Sequence, residues 1–249
     1  MATPPRTLAI DIGGTGLKAS VLDENGKMVV DRVRVDTPYP TPPGVLVDTL
    51  VDLVSRLPPY DRVSVGFPGV VREGRVLTAP HFKGRNWQSY PLADALSGRL
   101  GKPVRLLNDA EIQGLGIIKG KGLEVVLTLG TGVGSAVFTD GAMTPHLELA
   151  HHPLRRDKTY NDFLGEAVKR KISRKKWNKR VLYMIEIVFD LLHYDVLFLG
   201  GGNASHIDVE LPKNVRISSN DAGITGGIRL WDARVWNAVP GGSSHSGFA

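Results

Sequence analysis

Residues 11–22 read Asp11-Ile12-Gly13-Gly14-Thr15-Gly16-Leu17-Lys18-Ala19-Ser20-Val21-Leu22, and the phrase Gly14-Thr15-Gly16 returns at Gly130-Thr131-Gly132, 116 positions later. The second copy leads into Val133-Gly134-Ser135-Ala136-Val137-Phe138, a run as β-prone as the one after the first. A glycine-rich bend between two strands presents backbone N–H groups in a concave array that attracts phosphate oxygens. A Gly-Thr-Gly step is equally a plain hairpin bend in which the glycines supply positive φ. The register shared by the two copies points to a phosphate chain held from both sides.

Working outward, the first bend joins a strand near Leu8–Ile12 to a second at Lys18–Leu22, and Asn25-Gly26 marks a turn into a third at Met28–Val35. Apolar residues at Val45, Leu46, Leu50, Leu53, Val54 and Leu57 follow helical spacing. A strand Arg62–Val65, a loop from Gly66 to Pro91, a helix Leu92–Leu100, a strand Val104–Leu107 and a helix Ala110–Lys119 complete the first half. The second half repeats the opening with strands Glu124–Leu129 and Ser135–Thr139. Helical patterns follow over Asn161–Ile172 and Asn178–His193, then a strand Val196–Leu199 and a final helix Gly223–Trp231. The sequence therefore predicts an α/β protein of two hairpin-led lobes with a cleft between them. The expected N-terminal lobe is 1–109 and the C-terminal lobe 110–235, the last helix packing back on the first. Residues 236–249 read as a flexible tail.

The 249 residues are 42% hydrophobic, enough for sizeable cores, and no apolar run is long enough to cross a bilayer. The opening Met1–Arg6 carries no apolar signal core, and the chain has no cysteine. A cytoplasmic protein without disulfides, thiolate zinc sites or a cysteine nucleophile is the expectation, with no membrane partner. The net charge of +6 is concentrated: Lys169 to Arg180 holds eight Lys or Arg in twelve residues and no acid. Without that element the body of the protein is close to neutral.

Asp11-Ile-Gly-Gly-Thr-Gly-Leu-Lys18, Asn108-Asp109-Ala110, Leu129-Gly-Thr-Gly-Val-Gly134, Glu148-Leu-Ala-His151 and Leu199-Gly-Gly-Gly-Asn203 stand in this order. Together they resemble the motif series of ROK-family sugar kinases. His151-His152-Pro153-Leu154, the Lys-Lys-Trp-Asn-Lys-Arg run of 175–180 and Asp221-Ala-Gly-Ile-Thr-Gly-Gly227 are similar to the polyphosphate glucokinase branch of that family. The resemblance spans Leu8 to Trp231. It implies the two-lobed, RNase H-like fold shared by actin and hexokinase.

Phosphoryl transfer to a sugar hydroxyl needs a base, a holder for donor phosphates and a cation to offset charge. Asp109 follows a strand and opens a helix, so its carboxylate sits at the strand's carboxyl end. It is the candidate base, and the alternative is a helix N-cap. On the donor side the resemblance implies Asp11, Gly13, Gly14, Thr15, Lys18, Gly130, Thr131, Gly132 and Gly134. Asp11 would hold Mg2+ directly or through water, and Lys18 is alternatively a solvated strand residue. The sugar side would comprise Asn108, Asp109, Glu148, His151 and Gly69. The Glu-x-x-His spacing suggests a helix turn, which fits a metal pair as well, but without cysteines no zinc is expected. Ala150 stands where the family has glycine, a departure that bears on the local backbone rather than the chemistry; His81 stands where the family has asparagine, which weakens any inference about the hexose. Glu166 reads as a helix-surface acid, the alternative being a replacement for the family's further sugar-binding glutamate.

Within the basic run, Ser173 and Asn178 suggest one helix ending and another beginning, which puts Lys179 and Arg180 at a helix N-terminus, where the macrodipole disfavours cations. An anion across the run would relieve both conflicts. Lys169, Arg170, Lys171, Arg174, Lys175, Lys176, Lys179 and Arg180 are thus candidates for a polyphosphate track; a solvated charged face and a nucleic-acid surface are the alternatives. Gly200, Gly201, Gly202 and Asn203 would permit approach of a nucleotide, or form a plain strand-to-loop bend. The resemblance implies a homodimeric polyphosphate-dependent glucokinase acting on glucose or a related hexose, with ATP as a further donor and no nucleic-acid partner. The alternatives are an ATP-dependent hexose kinase, a nuclease on the same fold, and a sugar-responsive regulator. The regulator would need a DNA-binding module ahead of Leu8, where seven residues stand.

Overall fold

A computed structural model describes residues 4–218 and 222–239. Asp221 of the last motif and the tail positions 240–249 lie outside the described residues. The chain forms two compact units: one runs to Gly116 and resumes in the last stretch, the other begins at Ile117. The division expected after Asp109 therefore falls seven residues later.

The first unit holds β1 (Thr7–Ile12), β2 (Gly16–Leu22), β3 (Val33–Asp36), α1 (Pro43–Val54), β4 (Arg62–Phe67), β5 (Val71–Arg72), β6 (Arg75–Val76), α2 (Leu92–Leu100), β7 (Val104–Asn108) and α3 (Asp109–Leu115). Its sheet runs in the order β3-β2-β1-β4-β7. The first three strands are antiparallel neighbours, and β1, β4 and β7 are parallel. β1 is buried on both faces, as a central strand covered by helices must be. Leu8, Ile10 and Ile12 pack with Leu46, Leu50, Leu92 and Leu96 from α1 and α2 on one side. The other side carries α3. Pro43 opens α1 with its φ already set for a helix, and Gly101 closes α2 in the left-handed region at φ 64.

The second unit repeats this plan with β8 (Leu123–Leu129), β9 (Val133–Thr139) and β10 (Ala142–Met143), then β11 (Pro153–Arg155), β12 (Lys158–Thr159), α4 (Tyr160–Leu164), α5 (Glu166–Lys169), α6 (Arg174–Leu192), β13 (Val196–Gly200) and β14 (Val215–Ile217). Its sheet order, β10-β9-β8-β13-β14, has the same alternation of antiparallel and parallel pairs. Trp177, Val181, Met184, Ile185 and Val188 of α6 pack with Val125, Leu127, Leu197 and Leu199 of the sheet. The duplicated phrase thus marks a duplicated fold.

The chain then returns to the first unit as α7 (Ala222–Thr225), a 3-10 segment Gly226–Trp231 and α8 (Ala233–Ala238). Ser64 Oγ donates to Gly227 O at 2.7 Å, and Trp231 Nε1 donates to Ser64 Oγ at 2.9 Å. Arg105 lies between the rings of Trp231 and Trp236, 4.3 and 4.5 Å from their centroids. Burial, and then the nearby Arg62, push its guanidinium down to about 10. Trp236 is buried, so the helix that carries it extends into the stretch expected to be tail.

Several expected elements change for local reasons. The strand expected over Met28–Val35 is confined to Val33–Asp36, with Met28 making only a lone bridge to Leu22. The helix expected over Ala110–Lys119 stops at Leu115, and Gly116 lies so close to Ala222 O and Gly226 that an added Cβ would sit 3.0 Å from each. That contact also keeps α3 in the first unit. The helix expected over Asn161–Ile172 is two short ones broken at Gly165, where a Cβ would come within 2.8 Å of Asn161 O and 2.9 Å of Thr131 O.

Candidate active site

Strand register fixes the first cluster. Asp11 is opposite Gly66, and Gly66 opposite Leu107, so the parallel strands β1, β4 and β7 end together. Asp11, the loop after Phe67, and Asn108-Asp109 share that edge, where ligands of parallel sheets are bound. Asn108, not Asp109, is the N-cap: its Oδ1 accepts from Ala110 N at 2.9 Å in a capping box with Glu111. Asp109 is the first helical residue, its Oδ1 accepting from Ala110 N at 2.8 Å. An added Cβ on Gly66 would be 3.4 Å from Asp109 Cα, so β4 has a glycine where α3 starts.

Two sequence assignments shift here. Asn108 is buried, and its Nδ2 donates to Gly69 O at 3.1 Å and Phe67 O at 3.4 Å. Its carboxamide holds the loop beside Asp109. Gly69 does allow a close backbone approach, but the approaching group is the carbonyl of Thr78.

The first bend, Gly13 to Gly16, follows on this edge. Gly13 N donates to Gly16 O at 3.0 Å. Thr37 Oγ1 donates to Gly13 O at 2.7 Å, while Thr37 N and Arg34 both reach Thr15 O at 3.4 Å. In a trans peptide C=O and N–H point opposite ways. A carbonyl of Gly13 fixed on Thr37 therefore turns the N–H of Gly14 away from Thr37. Among the described residues no hydrogen bond takes the N–H of Gly14 or Thr15. Beside the bend Lys18 Nζ donates to Asp11 Oδ2 at 2.9 Å, both side chains partly exposed.

The second bend repeats the device with other anchors. Asn203 Nδ2 donates to Gly130 O at 3.1 Å and Glu166 N donates to the same oxygen at 3.0 Å. The N–H of Thr131 is thereby turned the other way, and no described residue takes it or that of Gly132. Val133 N donates to Asn161 Oδ1 at 2.8 Å, and a Cβ on Gly132 would be 2.6 Å from that oxygen. Gly134 N is bound by Thr128 Oγ1 at 3.2 Å. None of these bend glycines has positive φ; Gly13, Gly14, Gly16 and Gly132 serve close packing, while Gly130 has open space.

Asn161 also ties the turn that carries Glu148 and His151 to this bend, its N donating to Ala150 O at 3.1 Å. Glu148 and His151 lie in that turn rather than on the helix the spacing suggested. The sequence missed His146, whose Nε2 is 3.5 Å from Glu148 Oε2. Burial works to raise the Glu148 carboxyl, but the hydrogen bond and charge of His146, the charge of His151 and the N–H of Ala150 hold it below the usual range. Only a structured loop brings 146 to 148, so no periodicity signalled it. His152 turns to its own neighbour, Nδ1 lying 2.9 Å from Pro153 O.

The basic run differs from its sequence picture. Ser173, not Asn178, caps α6, its Oγ accepting from Lys176 N at 3.3 Å. Asn178 is buried and turned inward, donating to Arg174 O and His206 O and accepting from Asp208 N. Arg174, Lys175 and Lys176 therefore occupy the first turn, without an acid, so the conflict with the helix dipole is larger than predicted. Four of the eight cations are engaged: Lys169 with Asn203 and Glu166, Arg170 with Glu166, Arg174 with Asp208, and Arg180 with Phe163 O. Glu166, predicted to be a mere surface acid, is the counter-ion of this end. Lys171, Lys175, Lys176 and Lys179 are exposed and carry no ion pair among the described residues. Trp177 is fully buried and donates to Leu164 O at 3.0 Å, so it offers no face to a base.

Gly201 takes φ 82 and lies against Leu129, where a Cβ would strike the carbonyl. The Gly200–Gly202 bend is thus packed on its own chain at Gly201, while Gly202 has open space. Among the described residues no cluster of three metal-ligating side chains occurs, and no helix is long and apolar enough to cross a membrane.

A model of the ROK family matches residues 7–151. The polyphosphate glucokinase of Mycobacterium tuberculosis (strain ATCC 25177 / H37Ra) is 32% identical over 213 residues, which are 82% of this chain and 80% of that protein. Among solved structures, the inorganic polyphosphate/ATP-glucomannokinase from Arthrobacter sp. strain KM aligns with a TM-score of 0.82 at 28% identity, over 91% of this chain and 97% of the other. A ROK family glucokinase from Streptomyces griseus, solved with glucose and AMPPNP, aligns with a TM-score of 0.75 at 19% identity, over 90% and 98%. These alignments take in both duplicated units, and the fold is the two-lobed, RNase H-like one of such kinases. In sequence motifs, family match and fold alike, the chain belongs to the ROK family.

Proposed function

We propose that this protein is a polyphosphate-dependent glucokinase, moving the terminal phosphoryl group of inorganic polyphosphate onto the 6-hydroxyl of glucose, with ATP as a second donor. That it is a phosphotransferase of the sugar-kinase type is supported by relatives named polyphosphate glucokinase and polyphosphate/ATP-glucomannokinase. The polymer as donor is supported above all by the first turn of α6, which presents exposed Lys175 and Lys176 with Lys179 one turn on, at a helix end that itself favours anions. A chain of phosphates offers many charges at short spacing. The ATP-dependent alternative draws on the open space at Gly202.

In this reading each bend is a phosphate cradle of its own unit, through the N–H groups of Gly14 and Thr15 in the first and those of Thr131 and Gly132 in the second. Lys18 adds positive charge. Asp109 accepts the proton of the sugar hydroxyl as its oxygen bonds to phosphorus, and the bond to the next bridging oxygen breaks to leave a polyphosphate one unit shorter. Glu148, held anionic by His146 and His151, accepts hydrogen bonds from sugar hydroxyls, with His151 beside it. Asp11 offers a single carboxylate already paired with Lys18. That suits Mg2+, which takes one or two carboxylates and fills its remaining positions with water and substrate phosphates; the ion would offset donor charge.

The donor assignment is tested by replacing Lys175, Lys176 and Lys179 with glutamine. Catalytic efficiency with long-chain polyphosphate should fall by about tenfold or more and lose much of its salt dependence, with a much smaller change for ATP. An equal loss with both donors, or none, contradicts the polymer track.

A further inference from the structure

We propose that His81 is a further donor-binding residue, its imidazole contacting the phosphoryl group held at the Gly13–Gly16 bend. The inference rests on the kinase reading for the presence of phosphate at that bend, and adds a side chain that the sugar-side comparison of the sequence left without a role.

Placement is the first reason. A Cβ built on Gly14 would lie 3.2 Å from His81 Cβ, 3.4 Å from Cγ and 3.9 Å from Nδ1. His81 therefore packs against the Cα of Gly14, the residue whose N–H the Gly13–Thr37 contact turns away from Thr37.

Rigidity is the second. Phe82 N donates to Ala79 O at 3.1 Å, closing a turn around His81, and Lys83 O accepts from Thr41 N at 2.9 Å. Phe82 is buried against both Phe67 and Trp87, with ring centroids 5.4 and 5.5 Å away, and Trp87 is pinned by a 2.8 Å bond to Thr41 O. Phe67 ends β4, and its carbonyl accepts from Asn108. The backbone on both sides of His81 is thus fixed to the strand edge that carries Asp109.

Chemistry is the third. An imidazole N–H placed beside backbone N–H groups extends a phosphate cradle by one donor, and the protonated ring adds positive charge.

The test is calorimetric binding of inorganic tripolyphosphate and, separately, of glucose to wild type, His81→Gln and His81→Asn. The second, smaller variant serves if glutamine disturbs folding, and thermal melts identify which variant is intact. Tripolyphosphate should bind about tenfold more weakly to the intact variants while glucose affinity stays within about twofold. Weaker glucose binding with unchanged tripolyphosphate binding, or no change in either, overturns the proposal. A wild type that binds tripolyphosphate but phosphorylates no hexose overturns the kinase reading and leaves His81 as a phosphate contact, whereas a wild type blind to tripolyphosphate overturns both.

Discussion

The two glycine bends share a phrase, a hairpin and an orientation device, yet they are fastened to different things. The Gly13 carbonyl is held by one hydroxyl, that of Thr37, and the surroundings are ionisable: Asp11, Lys18, Arg34 and His81. The Gly130 carbonyl is held by the Asn203 carboxamide and the Glu166 N–H, and Asn203 in turn receives Lys169 at 2.8 Å. One bend thus stands on the strand edge that carries Asp109, the other at the end of the chain's cationic element. A duplicated fold gives two equivalent bends, and the side chains fastened behind them differ; under the proposed function that difference divides chemistry from capture.

Breaking the chemical side should have the largest effect. Asp109→Asn removes the proton acceptor and leaves the side chain's shape, so kcat should fall by about a thousandfold while glucose affinity changes little. Steady-state rates with glucose binding by calorimetry check both; retained kcat with lost sugar binding would move Asp109 to a binding role.

The anchors come next. Asn203→Ala strips the Gly130 carbonyl of its side-chain donor and leaves Lys169 without its oxygen, and Thr37→Val does the like for Gly13. Each should raise the donor KM by about tenfold at nearly constant sugar KM. Asn203→Ala should also lower Tm by about 5 °C, because losing the hydrogen bonds of this buried carboxamide costs about 2 kcal/mol. If Thr37→Val alone affected the donor, the second bend would be structural only.

The smallest effect sharpens the sugar side. Glu148 is held below its usual pKa, so its anionic form persists to lower pH; the stability it gives is present above the unfolded value near 4.5 and is lost as pH falls through the lower folded one. His146→Asn removes the largest lowering influence and leaves burial to act. The acid limb of kcat/KM for glucose should move toward higher pH, with KM near neutrality raised only about twofold, as a pH profile of the two proteins would read.

Much of this was legible in the chain because it is written locally. Alternating strands around Gly14 and Gly130 announced the hairpins, and the polar pair after Val104–Leu107 put Asp109 at a strand end. The remainder depends on contacts far apart in sequence. Gly165 breaks a helix because Thr131 O crowds it, Gly116 is needed by Ala222 and Gly226, and Asn178 faces inward to Asp208 and His206 instead of capping a helix. Asn161 and Asn203 are common loop residues until the bend they hold is known. Of the eight cations, composition could count them but not tell which four the protein keeps for itself.

The most direct measurement is a coupled assay of sugar-phosphate formation by the unaltered protein, crossing glucose, mannose and glucosamine with long-chain polyphosphate and ATP. Polyphosphate with glucose should give sugar phosphate at a rate at least equal to that of any other pairing. No product from any hexose with either donor would contradict the account at its centre.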